Sequence, residues 1–126
     1  MDKFNLDDFV SLEELIERAR EIIWKAMPTA REPIKALEAQ AEEDGMSVGL
    51  FDYLLEIVAE VFEPAVEEDN KEVIEAFFGM CEGLLGLNSS LLEENVDDLV
   101  AKVLIRHHPT LISQSGLRLQ ELIATH

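Results

Sequence analysis

The chain has 126 residues, of which 48% are hydrophobic, and its formal net charge is −17 at pH 7. This length suits a single domain over residues 1–126, and this hydrophobic content excludes a disordered chain. The negative charge disfavours binding to nucleic acid or to an anionic membrane, and no apolar run approaches the ~20 residues of a membrane helix.

The N-terminal third predicts two helices. Residues 1–10 are acidic and form an arm or a first short turn; they lack the features of a signal peptide, which favours the cytoplasm. The capping-box pattern that begins at Ser11 predicts a first helix over 11–27, which Pro28 ends. A second such pattern begins at Thr29 and predicts a helix to about residue 43, with Gly45 as its C-terminal cap.

A third helix is predicted over 47–62, where apolar and acidic residues follow two separate helical stripes. The apolar stripe predicts the core face and comprises Phe51, Leu54, Leu55, Val58, Val61 and Phe62. The acidic stripe comprises Asp52, Glu56, Glu60 and Glu63. Carboxylates four residues apart repel each other by roughly 0.2–0.5 kcal/mol per pair, so this stripe is expected to face solvent. Pro64 is expected to end or kink the helix.

The remaining sequence predicts two long helices and a short one. Asp69 or Asn70 caps a fourth helix to about residue 87, and Ser90 caps a fifth helix that ends near residue 107. Beyond Pro109, a short helix begins at a serine and carries Leu117 and Leu119. Three glycines share one face of the fourth helix, which predicts close approach of another backbone there: Gly79, Gly83 and Gly86.

No segment alternates like a strand, and no tract could serve as a long linker. We therefore predict an all-α fold of five to six helices. Helices of 10–18 residues with short connections favour antiparallel neighbours, so the architecture is either an irregular helical bundle or a set of stacked helical hairpins.

The negative charge is concentrated in the middle of the chain. Residues 46–100 carry fourteen acids and a single base, Lys71. The electrostatic field of these acids attracts cationic partners. The alternative is that the acidity only keeps the protein soluble. Aromatic residues can anchor a partner, and Trp24 lies off the apolar stripe of its helix. The candidate partner-binding residues are Trp24, Asp52, Tyr53, Glu56, Glu60, Glu63, Glu67, Glu68, Asp69, Glu94, Asp97 and Asp98, with Glu93 beside them.

One enzymatic alternative is a magnesium-dependent nucleotide pyrophosphatase. All-α enzymes of that class use two helical carboxylate pairs, and here Glu72 and Glu75 are followed by Glu94 and Asp97. In an antiparallel hairpin that turns near Asn88, however, the two pairs are offset by roughly 10 Å along the helix axis.

Other catalytic interpretations have less support. Adjacent residues His107 and His108 point ~100° apart on a helix, so they are expected at a helix end and not on one metal ion. Cys81 stands in an apolar run, which favours a buried and unreactive thiol. We therefore expect no catalytic residue, no cofactor and no bound metal.

The segment from about Asp44 to His107 resembles a small helical domain family found among bacterial immunity-type proteins. The resemblance rests on the acidic and aromatic helical patterns GLFDYLLEIV, NKEVIEAFFGMCEGLL and ENVDDLVAKVLI. It implies a protein that binds and blocks a toxin domain, often a basic nuclease, and it carries over no catalytic residue.

The sequence therefore predicts a non-enzymatic acidic binding protein, with an immunity or inhibitor function against a basic partner as the first hypothesis. The pyrophosphatase is one alternative. The other is a structural adaptor or homodimerisation module that uses the glycine face, so the chain is expected to be a monomer or a homodimer.

Overall fold

Helices make up most of the chain in the computed structural model, which describes residues 4–126. No strand occurs in that range, so the all-α prediction is confirmed, with a helix count close to the predicted five to six. The α-helices are α1 (Leu12–Ala26), α2 (Arg31–Glu43), α3 (Leu50–Ile57), α4 (Glu63–Glu67), α5 (Lys71–Leu85), α6 (Ser90–Val96), α7 (Lys102–His107) and α8 (Leu117–Ile123).

Two π turns join neighbouring α-helices without a break. The first, Val58–Phe62, joins α3 to α4, and the second, Asp97–Ala101, joins α6 to α7. Pro64 therefore lies inside a continuous helical segment and does not end the helix, which was one of the two outcomes expected from the sequence. A proline has no N–H to donate to the carbonyl four residues earlier, as an α-helix requires. In a π turn the backbone N–H groups bond instead to carbonyls five residues earlier. Here the N–H of Glu63 bonds to the carbonyl of Val58, five residues back.

The helices pack around α5. Helix α5 contacts α1, α4, α6 and α8, and α3 contacts α1, α2 and α6. This arrangement is an all-α helical bundle, in which α5 is the helix with the most neighbours.

The core is a single cluster of buried residues, and α5 contributes more of them than any other helix. The ring of Phe77 stacks on that of Phe62 at a centroid distance of 4.2 Å, and Phe78 adds an edge contact to Phe62. Met80, Cys81 and Leu84 are completely buried on α5. The first π turn is therefore held against α5 by aromatic packing.

Cys81 was predicted to be a buried, unreactive thiol, and the structure buries it completely. Burial raises the pKa of this thiol, and the nearby Glu82 carboxylate raises it further. Because the thiolate is the reactive form, we expect no labelling of the native protein by a disulfide reagent at pH 8 and full labelling in denaturant. Rapid labelling of the native protein would contradict this burial.

The buried stripe of α3 differs from the predicted one. Phe51 and Leu55 were assigned to the core, but they are 44% and 45% exposed. The buried residues are Leu50, Tyr53, Leu54, Ile57, Val58, Val61 and Phe62. Four of the six predicted core residues are therefore confirmed: Leu54, Val58, Val61 and Phe62. The buried face adds Leu50, Tyr53 and Ile57 in place of Phe51 and Leu55. Apolar residues on both flanks made the two faces equally plausible from the sequence.

The ends of the helices largely follow local rules. The side chain of Ser11 caps α1 by accepting from the N–H of Glu14, and Asn70 caps α5 by accepting from Val73. Gly45 follows α2 at φ +70°, a backbone conformation that favours glycine. Helix α6 is capped by Ser89, one residue earlier than predicted.

The segment after residue 3 is a 3₁₀ turn, Leu6–Asp8, that docks on the start of α6. The Asp7 carboxylate accepts from the Ser89 hydroxyl at 2.6 Å and from the N–H of Leu91 at 3.0 Å. Of the predicted arm or first turn, residues 4–10 therefore form an ordered turn, and residues 1–3 lie outside the described range.

Helix α8 is capped by a side chain from α5. The Glu82 carboxylate accepts from the N–H groups of Arg118 and Leu119, each at 2.9 Å. The cap was predicted to be a serine, but Gly116 occupies the N-cap position and contributes no side chain. A Cβ atom at Gly116 would lie 2.3 Å from two carbons of Glu82. The glycine therefore lets Glu82 reach the helix terminus.

Replacement of Gly116 with alanine is expected to lower the free energy of unfolding by about 1–2 kcal/mol, because Glu82 must move away from the two N–H groups it caps. The matched control is Gly79→Ala. Gly79 is exposed on α5, and no neighbouring atom lies within 4 Å of the position that an added methyl group would take. That change should stabilise the protein by about 0.5–1 kcal/mol. Urea unfolding followed by circular dichroism measures the change in the free energy of unfolding for both variants. If both variants stabilised the protein, or both destabilised it, the role given to Gly116 would be contradicted.

The glycine face of α5 was predicted to meet another backbone, and this prediction is wrong. Gly79 faces open space, and Gly83 is approached by the Ile22 side chain of α1. Near Gly86 the closest atoms outside its own helix belong to the Arg118 side chain. The three glycines therefore have separate surroundings and form no common packing surface.

Candidate partner-binding groove

Helix α3 and the π turn that continues it present acids and apolar side chains together on one side, which we call the solvent side of α3. Asp52 and Glu60 are exposed, Glu56 is half-buried, and none of the three pairs with a described Lys, Arg or His. The exposed side chains of Phe51 and Leu55 stand among them. Unneutralised carboxylates beside exposed apolar groups are a combination suited to binding a cationic, partly apolar surface.

A groove of about 260 Å³ lies between α2, the 44–49 loop and α3. Its apolar lining consists of Leu37, Ala41, Met46, Val48 and Leu55. Its polar lining consists of Gln40, Asp44, Ser47, Asp52 and Glu56. The groove therefore combines an apolar surface with three carboxylates, and no basic residue lines it. We call it the α2–α3 groove.

A hydrogen-bonded network ties the walls of the groove to α1. The Glu38 carboxylate on α2 accepts from the Arg20 guanidinium at 2.6 and 3.0 Å. The same carboxylate accepts from the Tyr53 hydroxyl of α3 at 2.6 Å. The Arg20 guanidinium holds the pKa of Glu38 below its ordinary value, and Glu38 raises the pKa of Arg20.

Tyr53 was predicted to anchor a partner, but the structure buries it with only 5% of its surface exposed. Burial raises its pKa to about 12, and the hydrogen bond to Glu38 acts in the same direction. The aromatic ring therefore belongs to the core between α2 and α3. Its neighbour Phe51, assigned to the core by the sequence pattern, is the exposed aromatic residue of this helix.

Tyr53 is the one tyrosine of the chain, so absorbance at 295 nm reports its ionisation alone. We expect a midpoint near pH 12, against an ordinary value of 10. The raised pKa contributes stability that is complete below pH 10 and is lost as the pH rises through about 12. Glu38→Gln should lower the midpoint, whereas Glu14→Gln, on the exposed face of α1, should leave it unchanged. A midpoint near 10 in the native protein would contradict the network.

Three of the predicted partner-binding acids have basic or histidine partners inside the structure. Both carboxylate oxygens of Glu63 lie within 3.1 Å of Nε2 of His108, and Asp97 contacts the ring of His126. Asp98 accepts from the Lys102 ammonium at 2.7 Å and raises the pKa of that lysine. The two histidine contacts were not visible in the sequence, because the histidines are 45 and 29 residues from their partners. Asp98 and Lys102, by contrast, are four residues apart on one helix.

The other predicted acids lie elsewhere on the surface. Glu67, Glu68 and Asp69 are exposed at the turn between α4 and α5. Glu94 lines a separate groove of about 300 Å³ between α6 and α8, together with Glu93 and Asp97. The predicted single anionic face is therefore divided among several surfaces. Asp52 and Glu56 line the groove beside α2, whereas Glu93, Glu94 and Asp97 line the groove beside α8.

Trp24 lies among cations and not beside the acids of α3. The charged groups of Arg20, Arg31 and Lys35 are 4.8, 5.2 and 5.8 Å from the centroid of its ring. Arg31 also donates to the backbone carbonyl of Trp24 at 3.0 Å. This half-buried side chain packs between α1 and α2, which agrees with the lateral packing considered from the sequence.

The carboxylate pairs considered for a pyrophosphatase are not brought together. Among residues 4–126 no group of three or more His, Cys, Asp or Glu side chains is placed to hold a metal ion.

Within the same range, none of the helices has the length and apolar content that a membrane crossing requires.

Sequence reasoning identified Asp52 and Glu56 but missed the apolar lining of the groove. Met46 was treated as part of a connection between helices, Val48 as the first turn of the third helix, and Leu37 as part of a weak core stripe. Two apolar residues in the short loop that begins at Asp44 were the available signal.

Comparison of the chain with protein-family models, with curated proteins and with solved structures finds no match.

Proposed function

We propose that this chain is a non-enzymatic acidic binding protein that uses the solvent side of α3 to bind a basic partner protein. The observation that carries the proposal is the set of carboxylates Asp52, Glu56 and Glu60, which have no cationic partner among the described residues and surround exposed Phe51 and Leu55. Affinity in protein interfaces comes from apolar and aromatic anchors, while charge complementarity raises the association rate and selects partners.

Within this class, an immunity or inhibitor protein that neutralises a basic toxin domain is the function we favour. The net charge of −17 supports it, and so does the concentration of fourteen acids in residues 46–100. A basic nuclease or similar toxin presents the opposite charge, so long-range attraction would speed their encounter. The proposal places the protein in the bacterial cytoplasm, where its single cysteine stays reduced.

The experiment uses a basic toxin-like protein encoded beside this chain. Its association rate should fall by about tenfold or more when the salt concentration rises from 50 to 500 mM. The triple change Asp52→Asn, Glu56→Gln and Glu60→Gln should weaken binding and flatten the salt dependence. The matched control removes three exposed acids from α1 and α5: Glu13→Gln, Glu17→Gln and Glu72→Gln.

Equal effects of the two triple variants would show that only the overall charge matters and would overturn the assignment of the surface to α3. Binding that does not respond to salt would overturn the electrostatic part of the proposal. Circular dichroism of both variants checks that the fold is retained.

A further inference from the structure

The size and lining of the α2–α3 groove indicate what it can receive. Its volume of about 260 Å³ is below the ~300–1,000 Å³ that is usual for small-molecule sites. It is open to solvent, and its apolar side chains come from three consecutive segments of the chain: α2, the 44–49 loop and α3. A space of this size suits one large side chain better than a nucleotide or another cofactor.

Charge decides which kind of segment would bring that side chain. Asp44, Asp52 and Glu56 stand at the groove, and none of them is neutralised by a described base. The Asp44 carboxylate accepts a hydrogen bond from the side-chain amide of Gln40, which is uncharged. An acidic or neutral segment would leave three carboxylates crowded beside an apolar contact, whereas lysines or arginines would compensate them.

We infer that the α2–α3 groove is the anchor pocket for the partner and receives one aliphatic or aromatic side chain from a cationic segment. This inference rests on the proposed function and specifies the site and the binding element. The anchor would pack against Leu37, Val48 and Leu55, and flanking lysines or arginines would meet Asp44, Asp52 and Glu56. The occupant is therefore a basic peptide segment of the partner with an isolated apolar residue.

Two labelled peptides test the inference with the full chain. The first has a central leucine between two pairs of lysines, and the second has serine in place of the leucine. Fluorescence anisotropy at low salt should show that the leucine peptide binds at least about tenfold more tightly, since its side chain is buried in the groove.

The groove can be filled without changing its charge. Ala41 lines the groove from α2, so Ala41→Leu should place a side chain in the space that the anchor would occupy. The matched control, Ala39→Leu, adds the same side chain to the same helix at an exposed position outside the groove. Leucine is a good helix former at both positions, so both variants should fold.

The expected result is that Ala41→Leu removes the advantage of the leucine peptide and leaves the serine peptide unaffected, while Ala39→Leu changes neither. Equal binding of the two peptides to the native protein, or equal behaviour of the two variants, would overturn the inference. So would failure of the leucine peptide to bind. A salt-dependent interaction with the natural partner would survive each of these results, so failure of the groove is distinguishable from failure of the proposed function.

Discussion

Replacing Phe77 with alanine is expected to lower the free energy of unfolding by about 3–5 kcal/mol. Phe77 is completely buried on α5, where its ring stacks on Phe62 and lies beside Phe78. The substitution removes apolar burial and leaves a cavity between α5 and the first π turn. Because α5 contacts α1, α4, α6 and α8, little of this cavity can close by local movement.

Urea unfolding followed by circular dichroism measures the loss. The control is Leu117→Ala, a large apolar side chain that is 71% exposed, and its effect should stay within about 0.5 kcal/mol. A loss below about 1 kcal/mol for Phe77→Ala would show that the aromatic cluster is not the packing centre described above.

Replacing Glu38 with alanine is expected to cost about 1–3 kcal/mol, chiefly because the Tyr53 hydroxyl loses its acceptor inside the protein. The Arg20 side chain is 36% exposed, so water can hydrogen-bond its guanidinium in place of the lost Glu38 carboxylate and reduces the cost of breaking the ion pair. The same change should loosen α2 against α3 and thereby weaken the α2–α3 groove, whose walls these helices form.

The matched control for Glu38 is Glu14→Ala. Glu14 pairs with Arg18 on the exposed face of α1, and pairs of that kind contribute roughly 0.3–0.5 kcal/mol. Tyr53→Phe should reproduce part of the Glu38 effect, since it removes the same hydrogen bond from the other side. Similar small losses for Glu38 and Glu14 variants would mean that the network adds nothing beyond a surface ion pair.

The helical class and most helix boundaries could be predicted because they depend on neighbouring residues. The hydroxyl of Ser11, the side chain of Asn70 and the left-handed conformation of Gly45 act within one turn of their own helices. Such local chemistry is present in the sequence itself. The cap of α8 could not be found this way, because Glu82 belongs to α5, more than thirty residues earlier.

The candidate site was predicted only in part, because its acids follow a local helical pattern but its apolar lining depends on which helices come together. The sequence by itself determined that α3 carries Asp52 and Glu56 with no base near them in the chain, while the tertiary structure decided that no distant base pairs with them, as His108 does with Glu63. Only the tertiary structure decided which of two adjacent apolar stripes of α3 is buried. Contacts of α3 with α2 and α6 cover Tyr53 and leave Phe51 and Leu55 in solvent, and helical spacing alone cannot choose between faces about 100° apart.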